Sequence, residues 1–200
     1  MSTVTLPTQF KPRSCQLVAS VNQRVSAAPF GGSEQAVDLL NDRWLLSCEL
    51  PEAKLVNAAW REAFIAAMRG QVNTVALWHF SRPVPRGTAR GSMTTLGAAQ
   101  GAASVVVDNV SPSNGTLLAG DMLGLVTTTG RPLLVMVATD CTASGGSVTV
   151  PLANRLRAAV TNEAVTWNQP TVPFRLLDTS GVQYSPGRAS ATSFDFGEAI

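Results

Sequence analysis

Charge is scarce in this chain. Asp, Glu, Lys and Arg make up 14% of its 200 residues, and the formal net charge is only +2. So small an imbalance leaves no electrostatic footprint for nucleic acid, and nucleic-acid binding is not expected. Histidine is scarcer still, with His79 alone. One histidine, no HxxxH pair and no cysteine cluster leave a zinc site without the nitrogen or thiolate ligands it needs. A Ser-His-Asp triad would have a single base to draw on, and no GxSxG elbow is present to expose a nucleophile. His79, inside an apolar run, reads as a packed or solvated strand residue rather than a base or ligand. GTARG and LGAAQGA contain glycines but match neither the GxxxxGKS/T nor the GxGxxG phosphate-binding pattern. Cysteines number three, Cys15, Cys48 and Cys141, widely spaced and without a CxxC. That pattern fits reduced thiols serving as small hydrophobes in a protein assembled in a cytoplasm. No apolar run approaches the ~20 residues of a membrane span, and Met1–Lys11 has no apolar core of a signal peptide. The expectation is a chain outside the membrane, not an enzyme, with no cofactor and no metal.

What is present is apolar and β-forming. Hydrophobic residues reach 45%, mean hydropathy is +0.14, and Thr, Ser, Val and Gly are abundant. This is the composition of a β-rich, well-buried or interface-rich protein rather than a disordered one. Residues 44–91 are the most informative stretch, reading as strand, helix, strand and an arginine-studded loop. Pro51 suits a first helical position, and Glu52 puts negative charge in the first turn. Val56, Trp60, Phe64 and Met68 recur at i+4, flanked by Ala59, Ala63 and Ala67, so a helix is predicted over about residues 52–69. Lys54, Asn57, Arg61 and Glu62 face away from this stripe, and Gly70 is the expected left-handed stop. The fold class expected is mainly β (α+β): a β-sandwich or barrel-like domain with one α-helix packed on it.

The remaining segments are short apolar runs between turn residues. Residues 1–14 read as a polar N-terminal arm, 15–180 as a single β-rich domain, and 181–200 as a C-terminal extension anchored by Tyr184, Phe194 and Phe196. Strands are predicted over 15–25, within 44–50, over 73–80, and then at 103–110, 115–126, 131–140, 145–152, 163–168 and 172–178. Along 44–50, Trp44, Leu46 and Cys48 point one way and Leu45, Ser47 and Glu49 the other. The strands on either side of the helix are compatible with a parallel crossover or with antiparallel placement. FGGSEQ at 30–35 is a turn or loop, and 154–160 a loop or single helical turn. Residues 81–102 form one long break, a length that is usually functional inside a compact domain.

Three polar features carry candidate chemistry. Asp38 and Asp42 are four residues apart and read as a solvated face rather than an acid/base pair. Gly120-Asp121, between apolar runs, reads as a tight turn whose carboxylate bonds nearby backbone N–H groups. Arg82, Arg86 and Arg90 lie four apart in a loop that Pro83 and Pro85 keep from being helical. They read either as part of a solvated loop or as a rigid arm that presents guanidiniums to a neighbour's carboxylates, and on the second reading these three are the candidate subunit-interface residues.

Taken in order, FGGSEQ, RWLLSCELP, AAWREAFIAAMRGQVNT, PRGTARG, LLAGDML and PFRLL resemble the distal tail or minor tail proteins of long-tailed, non-contractile bacteriophages. The resemblance spans most of residues 10–180. It implies a structural virion protein at the tail tip, assembled in the bacterial host cytoplasm. It further implies a homo-oligomeric ring, a hexamer, at the distal end of the tail tube. The implied partners are further copies of the chain, the tail tube protein and the baseplate hub or tip fiber. It brings no catalytic residues. The alternative is a β-sandwich carbohydrate- or receptor-binding module of the tail tip. Of Trp44, Trp60, Trp78 and Trp167, mainly Trp167 would be left to contact a ligand, since the others fall on the helix stripe or in core strands.

Overall fold

A computed structural model describes residues 2–27, 31–32 and 34–200. The protein is mainly β: among the described residues, 45% lie in strands and 7% are helical, with a single α-helix. The chain opens with β1 (Thr3–Val4), β2 (Ser14–Ser20), β3 (Gln23–Ala27), β4 (Glu34–Asp38) and β5 (Arg43–Leu50). β5 alternates as its sequence requires, burying Trp44, Leu46, Cys48 and Leu50 on one face. The run 15–25 is not one strand. It breaks at Val21–Asn22, where β2 leaves the sheet and β3 turns into a separate hairpin with β4. Of the FGGSEQ turn, Phe30 and Ser33 lie outside the described residues.

The helix is shorter than its sequence suggests. β6 (Ala53–Lys54) and a 3-10 turn (Leu55–Asn57) precede α1 (Ala59–Met68). Pro51 therefore follows a strand instead of opening a helix, and Val56, assigned to the apolar stripe, is 91% exposed. The physical reason is a long-range ladder: Ala53 and Lys54 pair with Ala189 and Arg188 from near the other end of the chain. Those hydrogen bonds hold residues 53–54 extended against a favourable local helical pattern. Arg61 is also a correction, for it is buried rather than solvent-facing. Its guanidinium donates to the carbonyls of Pro51 (2.6 Å) and Ser190 (3.0 Å) and to Thr192 Oγ1 (3.2 Å). Left-handed Arg69 (φ 50°) and Gly70 (φ 63°) end the helix together.

β7 (Thr74–Leu77) follows the helix, and a long excursion comes next. It contains β8 (Thr94–Thr95), β9 (Ser104–Asp108), β10 (Thr116–Leu117), β11 (Met122–Val126), β12 (Pro132–Met136), β13 (Cys141–Thr142) and β14 (Val148–Pro151). The chain returns as β15 (Val172–Thr179), β16 (Tyr184–Ser185), β17 (Arg188–Ala189) and β18 (Thr192–Glu198). Residues 163–168, predicted as a strand, make only isolated bridges, at Ala164 and Thr166.

Six strands form the main sheet in the order β1-β7-β15-β18-β5-β2. All neighbours are antiparallel except β1 and β7. The strands flanking the helix, β5 and β7, thus run antiparallel to each other with β18 and β15 between them. β18, from the segment read as a C-terminal extension, is central in this sheet and buries Phe194 and Phe196. The N-terminal segment is docked as well: β1 pairs with β7, and buried Phe10 meets the rings of Trp60, Phe64, Phe80, Phe194 and Phe196 at 5.5–6.3 Å.

Two hydrophobic clusters result. One holds the main sheet and α1, with Trp44, Leu46, Phe64, Met68, Leu77, Phe174 and Phe196. The other lies within the excursion, around Val105, Val107, Leu117, Leu125, Val135, Val150 and Leu156. The β11–β12 hairpin is their common wall. It sends Met122 and Leu134 into the first and Leu123, Leu125, Leu133 and Val135 into the second. Its near-continuous apolar sequence is what burial on both faces requires. No helix among the described residues is long and apolar enough to cross a membrane.

Candidate functional site

Residues 82–91 fold back onto 116–121 instead of reaching out. Ala89 N donates to Thr116 O at 3.0 Å, and the Thr88 and Thr116 hydroxyls lie 3.2 Å apart. A Cβ on Gly87 would come within 2.0 Å of Thr116 O, so only glycine permits this approach. At the centre is Asp121, buried in the Gly120-Asp121 turn. Its carboxylate accepts from the backbone N–H of Arg86 (2.8 Å), Gly87 (3.2 Å) and Leu118 (2.8 Å). That matches the expectation of backbone bonding by this aspartate and extends it to a loop more than thirty residues upstream in the chain.

The three loop arginines divide by exposure. Arg82 Nη1 donates to Gly120 O at 3.0 Å. Arg90 donates to the carbonyls of Gly87 (2.8 Å), Ala89 (2.6 Å) and Pro85 (3.1 Å) and covers the Trp167 ring at 5.0 Å. Both are half-buried within their own chain. Arg86 bonds Ala119 O and lies 3.7 Å from Asp121, yet its side chain is 55% exposed. It is the arginine of the three best placed to meet a neighbour. Trp167, the candidate ligand platform, is engaged too: its indole N–H donates to Gly91 O at 2.9 Å beneath Arg90. Trp44 is buried and donates to Leu134 O.

His79 is buried but lies beyond β7, which ends at Leu77 short of the strand predicted over 73–80, and Arg82 Nη2 is 3.4 Å from its Nε2. Burial first, and Arg82 second, push its pKa below the ordinary histidine value. The unfolded chain then takes up a proton near pH 6.5 that the native state resists, so lowering the pH favours unfolding. Stability is expected to fall as pH drops below about 6.5 and to level off once the lower native pKa is passed. Urea titrations from pH 7.5 to 5 should show this slope reduced in His79→Asn; equal slopes would refute it.

The most exposed ordered feature is the β3–β4 hairpin. All ten residues of the two strands are exposed, and among the described residues no third strand pairs with them. They carry Val25 and Val37, with Val21 and Leu39 exposed at the base. Sequence reading missed this hairpin because Val21–Arg24 continue the alternation of β2. The next strand was placed within 44–50 alone, so β4 at Glu34–Asp38 had no counterpart in the sequence reading. Asp38 and Asp42 do not form a carboxylate pair here: Asp38 caps Leu40 N and faces Arg155 at 3.8 Å, while Asp42 accepts from Asn22 N. Among the described residues, no group of three or more His, Cys, Asp or Glu is arranged to hold a metal ion. No protein-family model matches the chain, and a search of curated proteins returns no match.

Proposed function

We propose that this protein is a structural subunit of a bacteriophage tail tip that assembles with copies of itself into a ring. In this reading the ring is a hexamer at the distal end of the tail tube, joined to the tube protein on one side and to the hub or tip fiber on the other. The protein acts there by contact and not by catalysis. The order of the six motifs motivates the assignment to the tail. The observation that carries the assembly is the uncovered β3–β4 hairpin. A two-stranded ribbon is marginal alone, and its free edges are templates for pairing with another chain. Exposed Val25 and Val37 add apolar surface that a partner would cover. Arg86 supplies a guanidinium at a second contact point.

Replacing Val25 and Val37 together by Asp tests this reading. Ring or higher-order species are expected for the parent protein in light scattering and negative-stain images, and a folded monomer for the variant. Circular dichroism should be unchanged, because neither valine contributes to a core cluster. A parent chain that stays monomeric at high concentration and is missing from virions would refute the proposal.

A further inference from the structure

The second feature without an assigned role is a pair of thiols. Antiparallel β2 and β5 place Cys15 directly opposite Cys48 in register. Directly opposed residues of an antiparallel pair have Cα atoms roughly 4.5–5.5 Å apart. That lies within the roughly 4.4–6.8 Å that a disulfide spans. The two side chains share a face of the sheet. Cys48 is buried in the first cluster, and Cys15 is half-buried against it.

We propose that Cys15 and Cys48 form a thiol–disulfide exchange site that takes small-molecule disulfides, with Cys15 as the attacking thiol and Cys48 as the resolving one. The environment separates the two roles. The Cys48 thiol donates to Cys15, and the backbone N–H groups of Phe80 and Ser81 add to this, bringing the Cys15 pKa down to about 7 against the opposing effect of burial. Thiolate character on the more accessible sulfur is what exchange requires. Cys48 is pushed up, chiefly by its bond to Cys15 and by burial, with the Cys15 and Asp195 charges adding to it. Once Cys15 is capped, its negative charge no longer holds the Cys48 proton in place.

The chemistry balances with oxidised glutathione as the oxidant. The Cys15 thiolate attacks one glutathione sulfur, forming a mixed disulfide and expelling a glutathione thiolate. Cys48 then loses its proton to solvent and attacks the Cys15 sulfur, expelling the second glutathione. Two protein thiols become one disulfide while one small disulfide becomes two thiols. The product bond staples the edge strand β2, which leads directly into the β3–β4 hairpin, to β5. Cys141 is an internal control, since it sits against the other cluster and burial raises its pKa.

The test is titration of the full chain with oxidised glutathione at pH 7.5, followed by thiol counting and non-reducing peptide mapping. Free thiols should drop from the three present to that of Cys141 alone. The map should show the Cys15 peptide joined to the Cys48 peptide within one chain, reversed by dithiothreitol. Cys141→Ser should still lose its two remaining thiols, whereas Cys15→Ser should keep Cys48 free. Retention of all three thiols, a stable glutathione adduct on Cys15 with Cys48 still free, earlier reaction of Cys141, or disulfide-linked dimers would each overturn the proposal. Mapping of the unmutated chain decides the matter even where a variant fails to fold.

Discussion

Replacing Glu198 by Ala is expected to destabilise the protein by about 3–5 kcal/mol, the usual cost of stranding one partner of a buried ion pair. Glu198 lies near the end of β18 with its side chain fully shielded from solvent. One carboxylate oxygen accepts from Arg157 Nη1 at 2.8 Å and from the backbone N–H of Trp44 at 3.1 Å. The other accepts from Arg157 Nη2, completing a bidentate fork. Arg157 also donates to Asp42 O at 3.3 Å. One pair therefore joins three regions distant in sequence: the start of β5, the loop at 154–160 and the end of β18. Loss of the carboxylate leaves a guanidinium, 13% exposed, without its counter-charge. Urea unfolding should report the loss as a lower midpoint. Arg157→Met combined with Glu198→Leu should recover part of it, because removing both charges spares the stranded one. A single-variant loss below 1 kcal/mol would show that water reaches the pair.

Asp121→Ala should follow closely, at about 3 kcal/mol or more, since it orphans three backbone donors that each cost roughly 1–3 kcal/mol when unsatisfied. The donors belong to Arg86, Gly87 and Leu118. Loss of their acceptor should release residues 82–91 locally as well as lower global stability. Trypsin should then cut after Arg86 and Arg90 under native conditions, at sites protected in the parent protein. Asp121→Asn should fall between the two, because it retains one oxygen acceptor but turns an N–H donor toward other donors. Unaltered cleavage in Asp121→Ala would mean that the remaining bonds to 116–121, from Thr88, Ala89, Arg82 and Arg86, suffice to hold the loop.

Asp121 also illustrates how the site could be read in advance. Its role as a local N–H acceptor follows from a Gly-Asp turn between apolar runs, but two of its three donors come from a loop that no spacing rule connects to it. The loop arginines show the converse. Their positions beside Pro83 and Pro85 indicated an extended arm with free guanidiniums, yet folded against 116–121 the arm finds carbonyls of its own chain. Arg61 fell outside the apolar stripe by helical spacing, and is buried because the carbonyls of Pro51 and Ser190 converge on it.

Features that depend on neighbours along the chain were legible in the order of residues. Alternating burial in β5, a helix with a left-handed stop at Gly70, the turn at Gly120-Asp121 and a mainly β class all follow from periodicities and turn chemistry. Tertiary structure decided what depends on segments meeting across long separations. It cut the helix back to Ala59 by pairing Ala53–Lys54 with Arg188–Ala189, and it put β18 at the centre of the sheet. It set Cys15 across from Cys48, and among the described residues it left the β3–β4 hairpin without a third strand. The physical reason is the same in each case. Local pattern specifies which face of a segment is apolar, but the partner that covers the face or completes its hydrogen bonds is chosen by the whole fold.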